Sequence, residues 1–288
     1  MKIADMFDWN LKDLVPRLKD LKEQGFDVVQ FSPIQTCKPG DWRFLFQNIS
    51  INCFGNRLGS KEDWIKANKE AHRIGLKTCT SVQLRHVASS DTNNLLPHEY
   101  VPRSISKHIK GEPFASNDRN RKDVTEGFWG LPRLDYDSIE LTETEYFPFL
   151  DVVLNHSDFV RLDEGKHIGL PSEGYHFWER MNERYGKRII AECINEVEHI
   201  LKEYAEYCLV LTEEGTPCPK GTVRFVESHD TFLNDWGYTK HLSSDEILNK
   251  FECSCKLHHN VMFYARPFDD TIFSHRMNQI LHNPNNKC

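Results

Sequence analysis

Three apolar runs in this chain each end on a carboxylate: Asp163 in FVRLDEGKHI (residues 159–168), Glu192 in IIAEC (189–193) and Asp230 in VRFVESHDT (223–231). Acids at the ends of successive strands are how a parallel barrel gathers side chains around one site. Two carboxyl groups are the machinery for cleaving a glycosidic bond, and a third points to support for an oxocarbenium-like transition state. Arg161 stands two residues before Asp163, so on a strand the two share a face, and the guanidinium is expected to hold that carboxylate ionised. Glu192 needs the opposite tuning. Crowded by two acids in a pocket that substrate dries, it is expected to keep a proton for a leaving oxygen. One carboxylate at a strand end is more often a helix cap or a solvated loop group, so the weight falls on three together.

The elements that must position these acids alternate between strand and helix signals. Residues 3–7 read as strand one, and Leu11, Leu14, Val15, Leu18 and Leu21 form a helical stripe closed by Gly25. Strand two is expected over 28–34, then a long loop over 35–59 rich in Gly, Asn and aromatics. Ser60 with Asp63 is a capping-box signal for a helix to Gly75, and 76–84 gives strand three. Thr142 with Glu145 is read as the cap of a helix through 157. Strands four to eight are expected over 159–163, 188–193, 208–212, 223–226 and 261–265, with helices over 173–185, 195–207 and 244–257 between them. The architecture that follows is an α/β fold, a (β/α)8 barrel over residues 1–288. A polar, Pro-bearing stretch over 87–138 is longer than a connecting loop and is read as an inserted lobe after strand three. From Glu192 to Asp230 there are 230 − 192 = 38 residues for two βα units, against roughly 31 for one when about 250 make eight. The sixth helix is therefore expected to be missing, leaving apolar strand faces exposed on that side.

Bulk composition excludes several partner classes. A formal charge of −7 with no Lys/Arg-rich block offers no surface for nucleic acid. No apolar run approaches the roughly 20 residues that cross a bilayer, and MKIADMFDWN lacks an apolar leader, so no membrane partner and a cytoplasmic location are expected. Nine scattered cysteines with no CxxC pair read as buried free thiols.

FVRLDEGKHI, IIAEC and VRFVESHD resemble, in order and strand placement, the second, third and fourth signature regions of the α-amylase family, glycoside hydrolase family 13. The resemblance runs from AHRIGLK (71–77) through PHEYV (97–101) and GLPRLDYDS (130–138) to YARP (264–267), nearly the whole chain. It implies a retaining hydrolase of α-1,4-glucans, with Asp163 as nucleophile, Glu192 as acid/base and Asp230 as the transition-state acid. It also implies that His229 and His86 bind sugar hydroxyls, that Lys166 and His167 contact the leaving-group side, and that Trp42, Phe46 and Gln47 form an aromatic platform. Alone, His86 reads as a packing histidine, Lys166 as a surface charge, and the aromatics as the loop's own small core. DVVLNH (151–156) looks like the first signature region but lies too close to Asp163. Between Asn155 and Asp163 there is no room for a helix and a strand, and Phe147, Leu150, Val153 and Leu154 form a helical stripe. The proper register is SVQLRH (81–86).

That register departs from the family. Ser81 stands where the family has an aspartate supporting the arginine, and Arg85 where it has an asparagine that binds calcium. No cofactor is expected, because a guanidinium offers a metal no oxygen; Arg85 is expected to pair with Asp135, which aligns with a calcium ligand. Phe46 replaces a tyrosine and Arg43 an aromatic neighbour. The partner expected is an α-glucan. A catalytically impaired glucan-binding relative and a transglycosylase on the same scaffold are the alternatives. The family's β-sandwich domain after the barrel finds no counterpart within these residues.

Overall fold

The computed structural model of the chain describes residues 1–88, 101–111, 120–126, 131–267 and 269–288. Residues 97–100 of PHEYV and Gly130 of GLPRLDYDS lie outside them. Eight parallel strands close into a barrel: β1 (Lys2–Met6), β2 (Val28–Phe31), β3 (Lys77–Val82), β4 (Phe159–Leu162), β5 (Ile189–Glu192), β6 (Leu209–Glu213), β7 (Val223–Phe225) and β8 (Val261–Tyr264), which pairs back to β1. Period-two alternation explains the layering inside. Ile3, Val28, Cys79, Ile190, Val223 and Met262 form an apolar plug at the lower end. Two residues further on, the same inward face carries Asp5, Gln30, Ser81, Arg161 and Glu192, all buried. Outward residues pack with the helices in one larger core.

The helices that cover the strands begin where local chemistry satisfies their free N–H groups. Ser60 and Asp63 form the capping box of α2 (Lys61–Arg73), which follows α1 (Leu18–Gln24). The helix before β4 starts earlier than the Thr142 signal suggested. Ser138 accepts from the Leu141 N–H and caps residues 139–141, so the run continues through a π turn at Thr142–Tyr146 into α3 (Phe147–His156). Glu145 is instead engaged by the Asn52 amide at 2.6 Å. DVVLNH lies within α3, as its helical stripe requires. The helix expected from 173 starts at Phe177 as α4 (Phe177–Tyr185), after a separate turn at Pro171–Glu173. Next come α5 (Glu198–Tyr207), α6 (His229–Leu233), α7 (Ser244–Leu257) and α8 (His275–Leu281). Among the described residues no helix is long and apolar enough to cross a membrane. Of the nine cysteines, four are buried while Cys53 and Cys253 are exposed, so the buried-thiol expectation holds only in part.

Between β6 and β7, residues 214–222 contain no helix, as the short spacing implied. The apolar face expected to be exposed there is not exposed. Inward Leu211, Val223 and Phe225 fill the barrel, outward Val210 and Thr212 are buried, and the outward position on β7 is Arg224. Its guanidinium donates to Glu213 O at 2.6 Å and to Thr216 O, tying the short loop to the strand. Glu214 then accepts from Ser254 Oγ at 2.7 Å and lies 3.1 Å from His258 Nε2, fastening the loop to α7. Polar clips close a gap that a helix would otherwise cover.

Between β3 and α3 the described residues include short helices at Arg103–Ser106 and Arg121–Glu126, and an antiparallel ladder between Ile109–Gly111 and Arg133–Leu134. Arg121 joins this segment to the barrel loops. It donates to both oxygens of Glu173 at 2.8 and 3.0 Å, to Glu196 at 2.8 Å and to Lys166 O at 2.9 Å.

Candidate active site

Strand parity brings the acids together. Arg161 on β4 points inward two residues below Asp163, and its Nη1 donates to Asp163 Oδ1 at 2.5 Å and to Ser81 Oγ at 3.1 Å; its Nη2 donates to Glu192 Oε1. Ser81 thus still holds the arginine, although its hydroxyl brings no charge. Gln83, on the inward parity of Ser81, donates to Asp163 Oδ2 at 2.9 Å. Asp230 sits in the first turn of α6, where the Asn234 amide donates to it at 3.2 Å. Asp163, Glu192 and Asp230 all line one cavity of about 530 Å³ at the C-terminal end of the barrel.

One cation serves several acids, and this decides the electrostatics. Burial pushes the Asp163 carboxyl well above its usual range, against the pull of Arg161. The expected pull of Arg161 toward the ionised form of Asp163 is thus opposed by that burial, and the guanidinium is shared with Glu192. Asp230 is also raised, by burial, though 31 % of its side chain stays accessible at the cavity. Burial, with Arg161 adding to it, lowers His229 to about 3, so its imidazole is neutral. The ring stacks on Phe7 at 4.2 Å and on Phe46 at 5.2 Å.

Beneath them lies Asp5, which the motifs did not reveal. Burial pushes it up to about 7 from its ordinary 3.8, offset only in part by Arg161 and by the Gln30 amide at 2.8 Å. An acid raised in the folded state holds a proton there that the unfolded chain has released. The resulting stabilisation is complete below about pH 4 and is lost as the pH rises through 7. Asp5→Asn keeps the acceptor for Gln30. It is expected to leave the unfolding free energy near pH 4 almost unchanged and to raise it at pH 8 by up to about 4 kcal/mol. Urea unfolding at both pH values measures this, and equal stabilities at pH 8 would refute it.

The other residues named from sequence meet at the same cavity. Trp42, Phe46, Gln47, His86, Lys166, His167 and His229 all line the cavity. Several are also committed elsewhere. Phe46 packs in a small cluster with Leu45 and Leu58 of its loop and with Phe7 and Tyr264 at the ends of β1 and β8, so the loop seats on the barrel rather than on a core of its own, while Trp42 stays half-buried against it. His86 lies with Nε2 2.9 Å from Phe46 O, so that nitrogen donates, and with Nδ1 3.0 Å from Glu164 Oε2. His167 Nδ1 lies 2.7 Å from Val124 O and so ties the loop to the Arg121–Glu126 helix.

Glu164 is a fourth acid at the cavity that sequence reasoning passed over, although it adjoins Asp163. Its backbone is left-handed, φ 55°, and its N–H donates to Glu192 Oε2 at 3.2 Å. Gly165 permits that approach: a Cβ there would stand 2.8 Å from Ala191 Cβ and 2.9 Å from Glu192 N. Gln83 was legible by parity with Ser81, whereas Asn234 and Glu164 carried no signal beyond proximity to an acid.

The calcium that the resemblance implies does not fit the residues at its expected place. Arg85 is wholly buried, with Nε donating to His167 O at 3.1 Å and Nη2 to Thr125 O at 3.3 Å. A guanidinium thus takes carbonyl oxygens that a hard cation would need, and adds a repelling charge. The expected pair with Asp135 is not made among the described residues; Asp135, just past the two-stranded ladder, pairs instead with Lys110 of its first strand at 2.9 Å. Melting is expected to be unchanged within about 1 °C when a chelator is added, as follows if Arg85 takes the place of the ion. A drop of many degrees in a thermal scan would mean that a metal site exists.

No known family profile matches the sequence. Among curated proteins it is similar to an α-amylase of Clostridium acetobutylicum, 26 % identical over 169 residues, covering 56 % of this chain and 22 % of that protein. An α-amylase of Butyrivibrio fibrisolvens is 22 % identical over 185 residues, covering 59 % and 19 %. The match thus spans about a fifth of the length of these relatives. Among solved structures, the α-amylase of Geobacillus thermoleovorans complexed with acarbose superposes with TM-score 0.75 at 14 % identity, over 97 % of this chain and 77 % of that one. An α-amylase of Malbranchea cinnamomea gives 0.73 at 17 % identity, over 96 % and 71 %. With a closed eight-stranded parallel barrel that superposes on those of solved α-amylases, and with similarity to part of two curated ones, this chain has the α-amylase-like barrel fold.

Proposed function

We propose that the chain is a retaining glycoside hydrolase of α-1,4-glucans, with Asp163, Glu192 and Asp230 as its catalytic residues. The observation that carries this is the meeting of three carboxylates in one cavity, two of them on the same guanidinium. Two acids held side by side suit attack by one of them on the anomeric carbon, rather than the wider gap that admits a water between. Asp163 would form the bond to that carbon as the glycosidic C–O bond breaks, its electron pair leaving with the oxygen and taking a proton from Glu192. Water would then give a proton to Glu192 and its oxygen to the carbon, releasing Asp163. Asp230 would stabilise positive charge on the ring in both steps. With one guanidinium facing several buried acids, a proton stays in the cluster, and the reaction uses it when it lies on Glu192.

One observation favours a binding-only reading. Both Glu192 oxygens accept, from Arg161 and from the Glu164 N–H, and His86 is engaged by Glu164 and Phe46 O. The two readings part in one experiment: reducing-end release from soluble starch, run beside calorimetry with acarbose. Release with the α-anomer formed first supports retaining hydrolysis. Binding without release supports the second reading, and neither binding nor release ends both.

A further inference from the structure

Trp236 and Tyr238 are the most exposed aromatic side chains among the described residues, at 67 % and 60 %. Both border the cavity that holds the three acids. They are not loose. They flank Gly237, which is buried, in a turn lying on α6: the Gly237 N–H donates to Asn234 O at 2.9 Å, and the Thr239 N–H and hydroxyl both donate to Thr231 O, at 3.0 and 2.8 Å. A Cβ at position 237 would stand 2.5 Å from Thr231 O, so the close approach needs glycine. Asn234, whose carbonyl anchors this turn, also holds Asp230 through its amide at 3.2 Å. Two large aromatic faces are thus presented to water on a rigid mount attached to one of the acids.

We propose that Trp236 and Tyr238 form a stacking platform for a sugar unit beyond the one held at the acids, making the site selective for oligosaccharides over short ones. This rests on the glycan reading of the cavity. A pyranose ring offers one face of C–H groups and a rim of hydroxyls, and it fits an aromatic face bordered by polar groups. The surroundings match that chemistry. Asn195, Asn234 and Lys166 line the same cavity, and Asp235 and Lys240 stand in the turn itself. A protein interface core would be depleted of such charges. The platform is continuous with the cavity, so one glucan chain reaches both.

The test is calorimetry with maltose and maltoheptaose on the Asp163→Asn protein, which prevents cleavage during titration, with Trp236→Ala, Tyr238→Ala or Trp236→Phe added. Trp236→Ala is expected to weaken maltoheptaose binding about tenfold or more while leaving maltose within about twofold. Trp236→Phe should restore most of the loss. Equal losses on both sugars, or no loss on either, overturn the platform. So does a change in sedimentation without a change in affinity, which would make the pair a contact between copies of this chain. If Asp163→Asn itself binds no maltoheptaose, platform and glycan reading fall together. If it binds with the chain-length pattern described but the unmutated protein cleaves nothing, only hydrolysis falls.

Discussion

Asp163→Asn is expected to cut reducing-end release from soluble starch by about 10⁴-fold or more, with acarbose affinity changed by less than about threefold. An amide of nearly the same shape keeps an oxygen for Arg161 or Gln83, which donate to the two carboxylate oxygens now. It cannot form a stable bond to an anomeric carbon. The loss therefore falls on kcat rather than on binding, which separates a nucleophile from a residue that merely shapes the pocket. Folding should not suffer, because burial already penalises the charged form of Asp163 and the variant removes that charge. A kcat within tenfold of the unmutated protein would remove Asp163 from the nucleophile's role.

Arg161→Met is expected to be the most damaging single change to the fold. The side chain is 2 % exposed and compensates Asp163 and Glu192 directly. Taking one partner from a buried ionic cluster leaves charges with no counterion, at a cost of about 3–5 kcal/mol, or roughly 10 °C in melting temperature for a chain of this size. The sign of the pH dependence is fixed by the acids left behind. Arg161 lowers Asp5, Asp163 and Asp230 against the burial that raises them. Without it their folded-state values rise further above the unfolded ones, and stability falls more steeply as the pH rises. The deficit should be larger at pH 8 than at pH 5, where the carboxyls can take up protons. Melting curves of both proteins at the two pH values measure it; a deficit independent of pH would mean that lost packing, not lost charge, is the cause.

The same cluster explains why the site is easily read and its tuning is not. Asp163 and Glu192 stand at strand ends and Asp230 in the helix turn that follows β7, in the order the motifs require, and two-residue parity places Arg161 beside Asp163. Parity also put Gln83 on the inward face, though the motif drew attention to Ser81 and Arg85. What no local pattern could supply was the second claim on Arg161 by Glu192, thirty-one residues away. Burial raises Asp163, and the neighbouring Glu192 carboxylate adds to that against the pull of Arg161. Arg85 is a similar case. Its exclusion of a hard cation follows from residue type, but its actual partners are carbonyls of His167 and Thr125, not Asp135.

By itself, the order of apolar runs and capping signals determined an eight-stranded parallel barrel, a sixth unit without its helix, DVVLNH as helix, and three acids at one end. These are local properties: periodicity, cap chemistry and spacing act within a few residues or a single βα unit. Tertiary structure decided the rest. Arg224 and Glu214 seal the outer face expected to be bare, Ser138 rather than Thr142 starts its helix, Phe46 packs its loop onto Phe7 and Tyr264 of the barrel, and Trp236 with Tyr238 meets the cavity. Each depends on which groups approach through space once the barrel has closed. The competition among distant donors, acceptors and charges for one another is settled only there.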